Sequence, residues 1–203
     1  VYTGFKWIAN VMRENEGKKN YIGGGEESYG FLCEDFVRDK DAVSACVILA
    51  EIAAWAKDQG LSLYQLLQKI YVEYGFSKEK GISVVKKGKS GAEEIEAMMK
   101  KFRENPLTEI AGSKVTYFYD YSTLKGKDYA ENETVTLDMP TTSNVLQYFT
   151  EDNTKVSIRP SGTEPKIKFY CEVHSKVKSI DELPEAEKAA EEKINQIKAS
   201  LGI

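Results

Sequence analysis

The sequence predicts a chain of helices and strands in two parts, the second of α+β class, with a boundary near residues 75–81. Three observations carry this. Helical stripes follow capping signals at Ser62 and at Ser90. Strict alternation of polar and apolar residues runs through 155–159 and 166–174. Glycine and proline punctuate the chain where one pattern gives way to the next.

The first part opens with a loop-to-helix segment over Thr3 to Arg13. A turn follows at Glu16-Gly-Lys-Lys-Asn20, then a short strand leading into the Gly23–Gly25 run. Asp41 to Asp58 reads as a helix apolar on most sides, since Ala45 to Ala50 carries no charged residue, and burial is expected of it. Gly60 closes that helix. Ser62 with Gln65 caps a second one, whose stripe is Leu63, Leu66, Leu67, Ile70 and Tyr74, and Gly75 stops it. In the second part Ile82 to Val85 reads as a strand. Ser90 and Glu93 form a capping box for a helix with Ile95, Met98, Met99 and Phe102 on one face, and Pro106 lies just past its end. Val115 to Tyr121, Val145 to Phe149, Lys155 to Arg159 and Lys166 to His174 read as strands. Pro184 starts a last helix through Leu201, with Ala190, Ile194, Ile197 and Leu201 facing inward. The result is a sheet with helices on one face.

Composition narrows the function classes. The 203 residues are 41% hydrophobic and 30% charged, with 28 basic against 32 acidic side chains and a net charge of −4. Without a basic stripe, neither nucleic acid nor an acidic membrane is expected as the main partner. No apolar run approaches the roughly 18 residues that span a bilayer, and the N-terminus lacks a secretory pattern, so a cytoplasmic location is expected. Val1 in place of an initiator Met is expected of a chain that is processed or cut from a longer one. Cys33, Cys46 and Cys171 are odd in number, lack Cys-x-x-Cys spacing and are expected reduced and buried. With one histidine, His174, and no thiol cluster, no zinc site is expected.

Two stretches carry the chemistry. Arg159-Pro-Ser-Gly-Thr-Glu-Pro-Lys166 joins two alternating segments and has the make-up of a phosphate clamp. Arg159 offers a planar fork of donors, Ser161 and Thr163 add hydroxyls, and Gly162 lets backbone N–H groups approach an anion. By itself the stretch reads equally well as an ordinary hairpin turn. Gly25-Glu-Glu-Ser-Tyr-Gly30 places a carboxylate, Glu26, and a hydroxyl, Ser28, two apart. On an extended loop such a pair projects to one side and can hold vicinal sugar hydroxyls, with Glu27 pointing away. By itself it reads as a solvated acidic turn.

Together with Thr3-Gly-Phe-Lys-Trp-Ile8 and Asp35-Phe-Val-Arg-Asp-Lys-Asp41, these motifs resemble the α-D-phosphohexomutase superfamily, the phosphoglucomutases and phosphomannomutases, in the order that family places them. The resemblance covers essentially the whole chain. It implies that residues 1–78 are the C-terminal part of an α/β domain 3, and that residues 79–203 are a TATA-binding-protein-like α+β domain 4. It also implies a substrate site of Glu26 and Ser28 on sugar hydroxyls, with Arg159, Ser161, Gly162 and Thr163 on phosphate; Lys166 is a further candidate for substrate binding, as is Arg38, which with Lys40 two residues on is expected to face the cleft of the glycine-rich loop. Lys40 matches a position near the transferring phosphate and Lys6 lies on a loop facing the cleft; these are the candidates for proton transfer.

Family members pass a phosphoryl group through a serine in a Thr-x-Ser-His-Asn-Pro type loop and hold Mg²⁺ on an Asp-Gly-Asp-Gly-Asp-Arg type loop. Neither loop occurs here; Thr141-Thr-Ser-Asn144 lacks the His and Pro. The resemblance therefore implies the C-terminal, substrate-binding part of a cytoplasmic isomerase that is a phosphoprotein of carbohydrate metabolism. That parent would interconvert hexose 1- and 6-phosphates through a phosphoserine and a hexose 1,6-bisphosphate, with Mg²⁺ bound outside this chain. The partners implied are a small sugar phosphate and the missing N-terminal domains of the same chain, and the chain alone is expected to be inactive. Two alternatives stand beside it: a stand-alone, non-catalytic sugar-phosphate-binding module, and a nucleic-acid binder using Tyr117, Tyr119 and Tyr121, against which the acidic balance counts.

Overall fold

The computed structural model describes residues 1–26, 28–86, 88–162 and 164–203. It divides into two compact units, Val1–Leu67 and Gln68–Ile203.

The first unit opens with helix α1 (Phe5–Asn15), which starts after Gly4 and turns over at Gly17. Its buried side turns Phe5 and Met12 onto Leu32, with Ile8 and Tyr21 packed at the margin. Leu32 belongs to a small antiparallel pair, β1 (Gly23–Gly25) and β2 (Phe31–Cys33), in which Gly24 faces Leu32 and Gly25 faces Phe31. Helix α2 (Ala42–Asp58) is capped by Asp41, whose carboxylate accepts the Ser44 amide at 2.7 Å. That hydrogen bond holds the Asp41 carboxyl below its ordinary range. Helix α3 (Leu63–Tyr74) begins with the predicted capping box. Gln65 accepts the Ser62 amide at 2.8 Å, and the Ser62 hydroxyl accepts the Gln65 amide at 3.2 Å.

Two expectations fail in these helices. Of α2 only Ala56 is buried, while Val43, Val47, Leu49 and Trp55 are exposed. Among the described residues the only sheet in its unit is the β1–β2 pair of three-residue strands, too small to cover a helix apolar all round. On α3 the predicted stripe is largely exposed at Leu63, Leu67, Ile70 and Tyr74. Tyr71 and Val72 instead pack on the core of the second unit. The division between the units falls inside α3, so one stripe cannot serve the whole helix. Gly75 does end it, at φ +104 with its amide on the Tyr71 carbonyl, a conformation that favours glycine.

Among the described residues the second unit holds an eight-stranded sheet, antiparallel at every pairing. Its strands are β3 (Phe76–Val85), β4 (Glu109–Ile110), β5 (Ser113–Asp120), β6 (Lys125–Asp128), β7 (Glu133–Thr136), β8 (Leu146–Thr150), β9 (Lys155–Pro160) and β10 (Lys166–Ser175). The order is β3-β10-β9-β8-β5-β6-β7, with β4 paired to β5. Helices α4 (Gly88–Glu104) and α5 (Leu183–Leu201) lie on one face. The alternation predicted for β10 holds: Ile167, Phe169, Cys171 and Val173 are buried, and the residues between them are not. They meet Ile95, Met99 and Phe102 of α4 and Ala190, Ile194, Ile197 and Leu201 of α5 in one core, as expected of an α+β layout.

Helix α4 opens at Gly88, so Ser90 lies inside its first turn rather than at the cap. At its other end the Phe102 carbonyl would look for an amide at residue 106, but Pro106 has none. The fully buried Tyr148 donates its hydroxyl to that carbonyl at 2.9 Å instead. All three cysteines are free, but only Cys171 is buried; Cys46 lies on the exposed helix α2. Burial pushes the Cys171 thiol up to about 11.

Candidate functional site

Each unit carries one candidate loop. In the first, the chain leaves β1 at Glu26 and returns to β2 at Gly30, and the turn closes on itself. The Glu26 amide donates to the Gly30 carbonyl at 2.7 Å, and the Tyr29 amide to the Glu26 carbonyl at 3.2 Å. Tyr29 takes φ +69 and is almost fully exposed. These hydrogen bonds close a tight turn between Glu26 and Gly30, so the strand alternation expected to align Glu26 with Ser28 is not seen. Ser28 is exposed; Glu27 lies outside the described residues.

The Glu26 carboxylate is mostly covered, its side chain 14% exposed, and the Lys40 ammonium stands 4.0 Å from it. Lys40 also reaches the Asp39 carboxylate at 3.2 Å and lies 5.9 Å over the ring of the buried Phe5. Its own amide donates to Asp39 Oδ1 at 2.8 Å. The Lys40 amide and then its ammonium hold the Asp39 carboxyl below its usual range. One residue on, the Asp41 amide donates to the Phe31 carbonyl at 3.0 Å, which ties this segment to β2. The structure thus brings Lys40 and Glu26 together.

It does not bring Arg38 with them. The Arg38 guanidinium pairs with Glu16 at 3.1 Å, on the rim of a cleft of about 550 Å³ lined also by Asn15, Lys18, Tyr21 and Asp35. Two residues apart on an irregular segment, Arg38 and Lys40 diverge. Lys6 is exposed and lies 5.0 Å over the indole of Trp7.

In the second unit the clamp is a hairpin between β9 and β10, with Lys168 paired to Arg159 and Ile167 to Pro160. The Ser161 amide donates to the Lys166 carbonyl at 2.8 Å and the Lys166 amide to the Glu164 carbonyl at 2.7 Å. The Lys86 amide donates to the Pro165 carbonyl at 2.9 Å, fastening the far side of the loop to the end of β3. A Cβ at Gly162 would meet nothing within 4 Å, so packing does not demand glycine there and the backbone is open to approach. Lys166 pairs with Glu164 inside the loop, and its hydrogen bond and charge keep the Glu164 carboxyl low. Thr163 lies outside the described residues.

The register shows a residue that the motif did not flag. Lys168 sits directly opposite Arg159, on the sheet face away from the helices, and both are half-buried. Like charges facing each other across a ladder destabilise it unless an anion lies between or above them. The charge of Lys168 also reaches the loop's Glu164 carboxylate and helps to lower it. The signal was present in the sequence. Cations at Arg159 and Lys168 fall on the same face once a five-residue loop joins two alternating strands.

Among the described residues no group of three His, Cys, Asp or Glu side chains is placed to hold a metal. His174 Nε2 lies 2.8 Å from Glu172 Oε1 at the end of β10, a surface pair. No helix among the described residues is long and apolar enough to cross a membrane.

Comparison with known proteins bears on both loops. Residues 1–74 match the phosphoglucomutase/phosphomannomutase alpha/beta/alpha domain III, and residues 82–190 match the C-terminal domain of the same family. A phosphoglucomutase of Staphylococcus haemolyticus is 38% identical over 174 residues, 86% of this chain and 31% of that protein. One of Staphylococcus aureus is 41% identical over 170 residues, 84% of this chain and 30% of that protein. The open form of parafusin, a phosphoglucomutase from Paramecium, superposes with a TM-score of 0.53 at 20% identity, covering 87% of this chain and 29% of that one, a likeness of fold. The chain spans under a third of the length of the curated relatives it matches. With family matches over both units, each containing one of the two loops, the chain belongs to the phosphoglucomutase/phosphomannomutase family.

Proposed function

We propose that this chain is the substrate-holding part of a longer phosphohexomutase that exchanges phosphate between the 1- and 6-positions of a hexose. On this reading residues 1–78 belong to its third domain and 79–203 form its fourth. Glu26 and Ser28 hold sugar hydroxyls. Arg159, Ser161, Gly162, Thr163 and Lys166, with Lys168 added from the ladder, hold the phosphate that is not reacting. The observation that carries the reading is that two half-buried cations, Arg159 and Lys168, face each other across β9 and β10 beside an open glycine loop, where both are placed to donate to one phosphate.

The chemistry divides accordingly. A phosphoserine on a part of the protein beyond these residues gives up its phosphoryl group. The serine O–P bond breaks and a bond to the free sugar hydroxyl forms, giving the bisphosphate. After the sugar turns round, its other O–P bond breaks and the serine ester is restored. The hydroxyl proton needs an acceptor and later a donor; Lys40, held by Asp39 and Glu26, is the nearest candidate here, and Lys6 the second. Phosphate held in the clamp is remote binding energy used to aim the reacting end. A loop that reads only phosphate accepts the sugar in both orientations, as net exchange requires.

The exposed apolar side of α2 supports the wider setting. An alpha/beta/alpha domain needs a sheet between its helix layers, and the described residues of the first unit supply only β1 and β2. The remaining layer is assigned to other segments of the same longer protein.

The test is made on the full-length protein with a hexose 1-phosphate. Arg159→Ala is expected to raise KM and lower kcat/KM by well over about tenfold, with the fold intact by circular dichroism. A variant that turns over like the parent protein would overturn the reading.

A further inference from the structure

Gly30 separates the two groups that meet in the sugar loop. A methyl group built on its Cα would lie 2.6 Å from Lys40 Cδ and 2.7 Å from Glu26 Oε2, with Lys40 Cβ at 3.5 Å. All three distances fall on side chains, and Gly30 is not among the residues at positive φ, so its backbone would accept an alanine. Nothing in the fold of the hairpin therefore requires glycine at this position. What requires it is the path of Lys40, which runs across the bare Cα of Gly30 to reach Glu26.

Neither backbone can step aside. Gly30 is fixed by its carbonyl, which accepts the Glu26 amide at 2.7 Å. Lys40 is fixed from both sides, by its amide on Asp39 Oδ1 at 2.8 Å and by the Asp41 amide on the Phe31 carbonyl at 3.0 Å. Only the lysine tail and the glutamate head can yield to an added methyl. Both are flexible, so yielding costs little stability, but it moves the ammonium off the carboxylate and off the Phe5 ring.

We propose that Gly30 is a positioning residue, whose missing side chain sets where the Lys40 ammonium and the Glu26 carboxylate stand relative to a bound sugar. The inference rests on the reading of Glu26 and Lys40 as substrate-facing. It adds that their placement is controlled by a residue that touches no substrate. Gly24 offers the contrast within the same hairpin. There an added Cβ would meet the Tyr21 hydroxyl at 2.5 Å and Ile8 Cγ2 at 3.0 Å, so that glycine serves the core.

The experiment is a double-mutant cycle on the full-length protein, with kcat and KM for a hexose 1-phosphate and the thermal midpoint measured for each variant. Gly30→Ala is expected to lower kcat/KM by about tenfold or more while the midpoint stays within about 2 °C of the parent. In a background carrying both Lys40→Ala and Glu26→Ala the same change is expected to cost less than about threefold, because both side chains that the methyl would displace are already gone. Equal losses in both backgrounds, or a midpoint that falls with activity, would make Gly30 a structural residue and overturn the proposal. If Glu26→Gln and Lys40→Ala cripple the enzyme while Gly30→Ala turns over normally, this inference fails and the sugar-site reading stands. If Glu26→Gln and Lys40→Ala are themselves silent, the sugar-site reading fails, and the positioning role falls with it.

Discussion

Replacing Asp152 by alanine tests how the β8–β9 hairpin is tied to α5. The turn closes with the Thr150 amide on the Thr154 carbonyl at 3.0 Å and Asn153 in a left-handed conformation. Asp152 Oδ1 accepts the Thr150 hydroxyl at 2.7 Å and the Thr154 amide at 3.2 Å, while Oδ2 pairs with Lys193 of α5. Burial by itself would raise this carboxyl, but hydrogen bonds from Lys193, Thr150 and Thr154 outweigh it and hold Asp152 well below the usual carboxylate range.

The cost of losing it is modest for two reasons. The Thr154 amide still has the Thr150 hydroxyl at 3.1 Å, and that hydroxyl still has the Thr154 carbonyl at 3.2 Å, so neither donor is stranded. The Asp152 side chain is 40% exposed, so solvent screens its pairing with Lys193. A loss of about 1–2 kcal/mol near neutral pH follows. The folded pKa lies below the unfolded one, so this stability is fully present above the unfolded value of about 4. It is lost progressively as pH falls from there toward the folded value. The gap between parent and variant should therefore be flat from about pH 8 to 5 and narrow below about pH 4.

Both tryptophans, Trp7 and Trp55, belong to the first unit, so their fluorescence does not report on this hairpin. Urea unfolding followed by amide exchange over 146–160 does. A loss under about 0.3 kcal/mol at neutral pH, or a gap that widens on acidification, would refute the reasoning.

Tyr148→Phe should destabilise the second unit by about 1–2 kcal/mol, because the Phe102 carbonyl loses the donor that stands in for the absent amide of Pro106; denaturant midpoints check it. Gly24→Ala should lower the thermal midpoint of the first unit, read by tryptophan fluorescence, at a cost of about 1–3 kcal/mol, since its methyl must push Tyr21 and Ile8 out of a small core. Lys168→Met in the full-length protein should raise KM for a hexose 1-phosphate several-fold yet leave the hairpin at least as stable, because it removes a like charge facing Arg159; a drop in both would mean that Lys168 is structural.

How far the sequence could be read depended on where each residue finds its partner. Helix α5 was legible to the residue, since Ala190, Ile194, Ile197 and Leu201 all bury against strands of the same unit. The Ser62–Gln65 box was legible because capping is a local exchange of hydrogen bonds. The box at Ser90 and Glu93 was not, because α4 begins earlier, at Gly88. Strands β6 and β7 escaped notice for another reason: Lys-Gly-Lys-Asp and Glu-Thr-Val-Thr carry almost no apolar alternation. Backbone pairing holds them, β6 on β5 and β7 on β6, and periodicity does not register that. At the sites, the motifs gave the residue types. The strand register drew attention to Lys168, and the side-chain paths of Lys40 and Glu26 disclosed the crowding at Gly30.

Helix α2 shows the same dependence from the other side. Its sequence is apolar nearly all round, which in a finished domain means burial, yet Val43, Val47, Leu49 and Trp55 are exposed. The pattern led to an expectation of burial, and the described residues supply no cover for these side chains. The need for cover bears on the site through one residue. Asp41 caps α2 with its carboxylate and holds β2 with its amide, and Lys40 is its neighbour in the chain. A frayed α2 loosens the cap, the cap loosens the tie to Phe31, and Lys40 then no longer runs in a fixed path over Gly30 to Glu26. On this reading, the layer that covers α2 in the longer protein sets the precision of the sugar loop without touching the sugar.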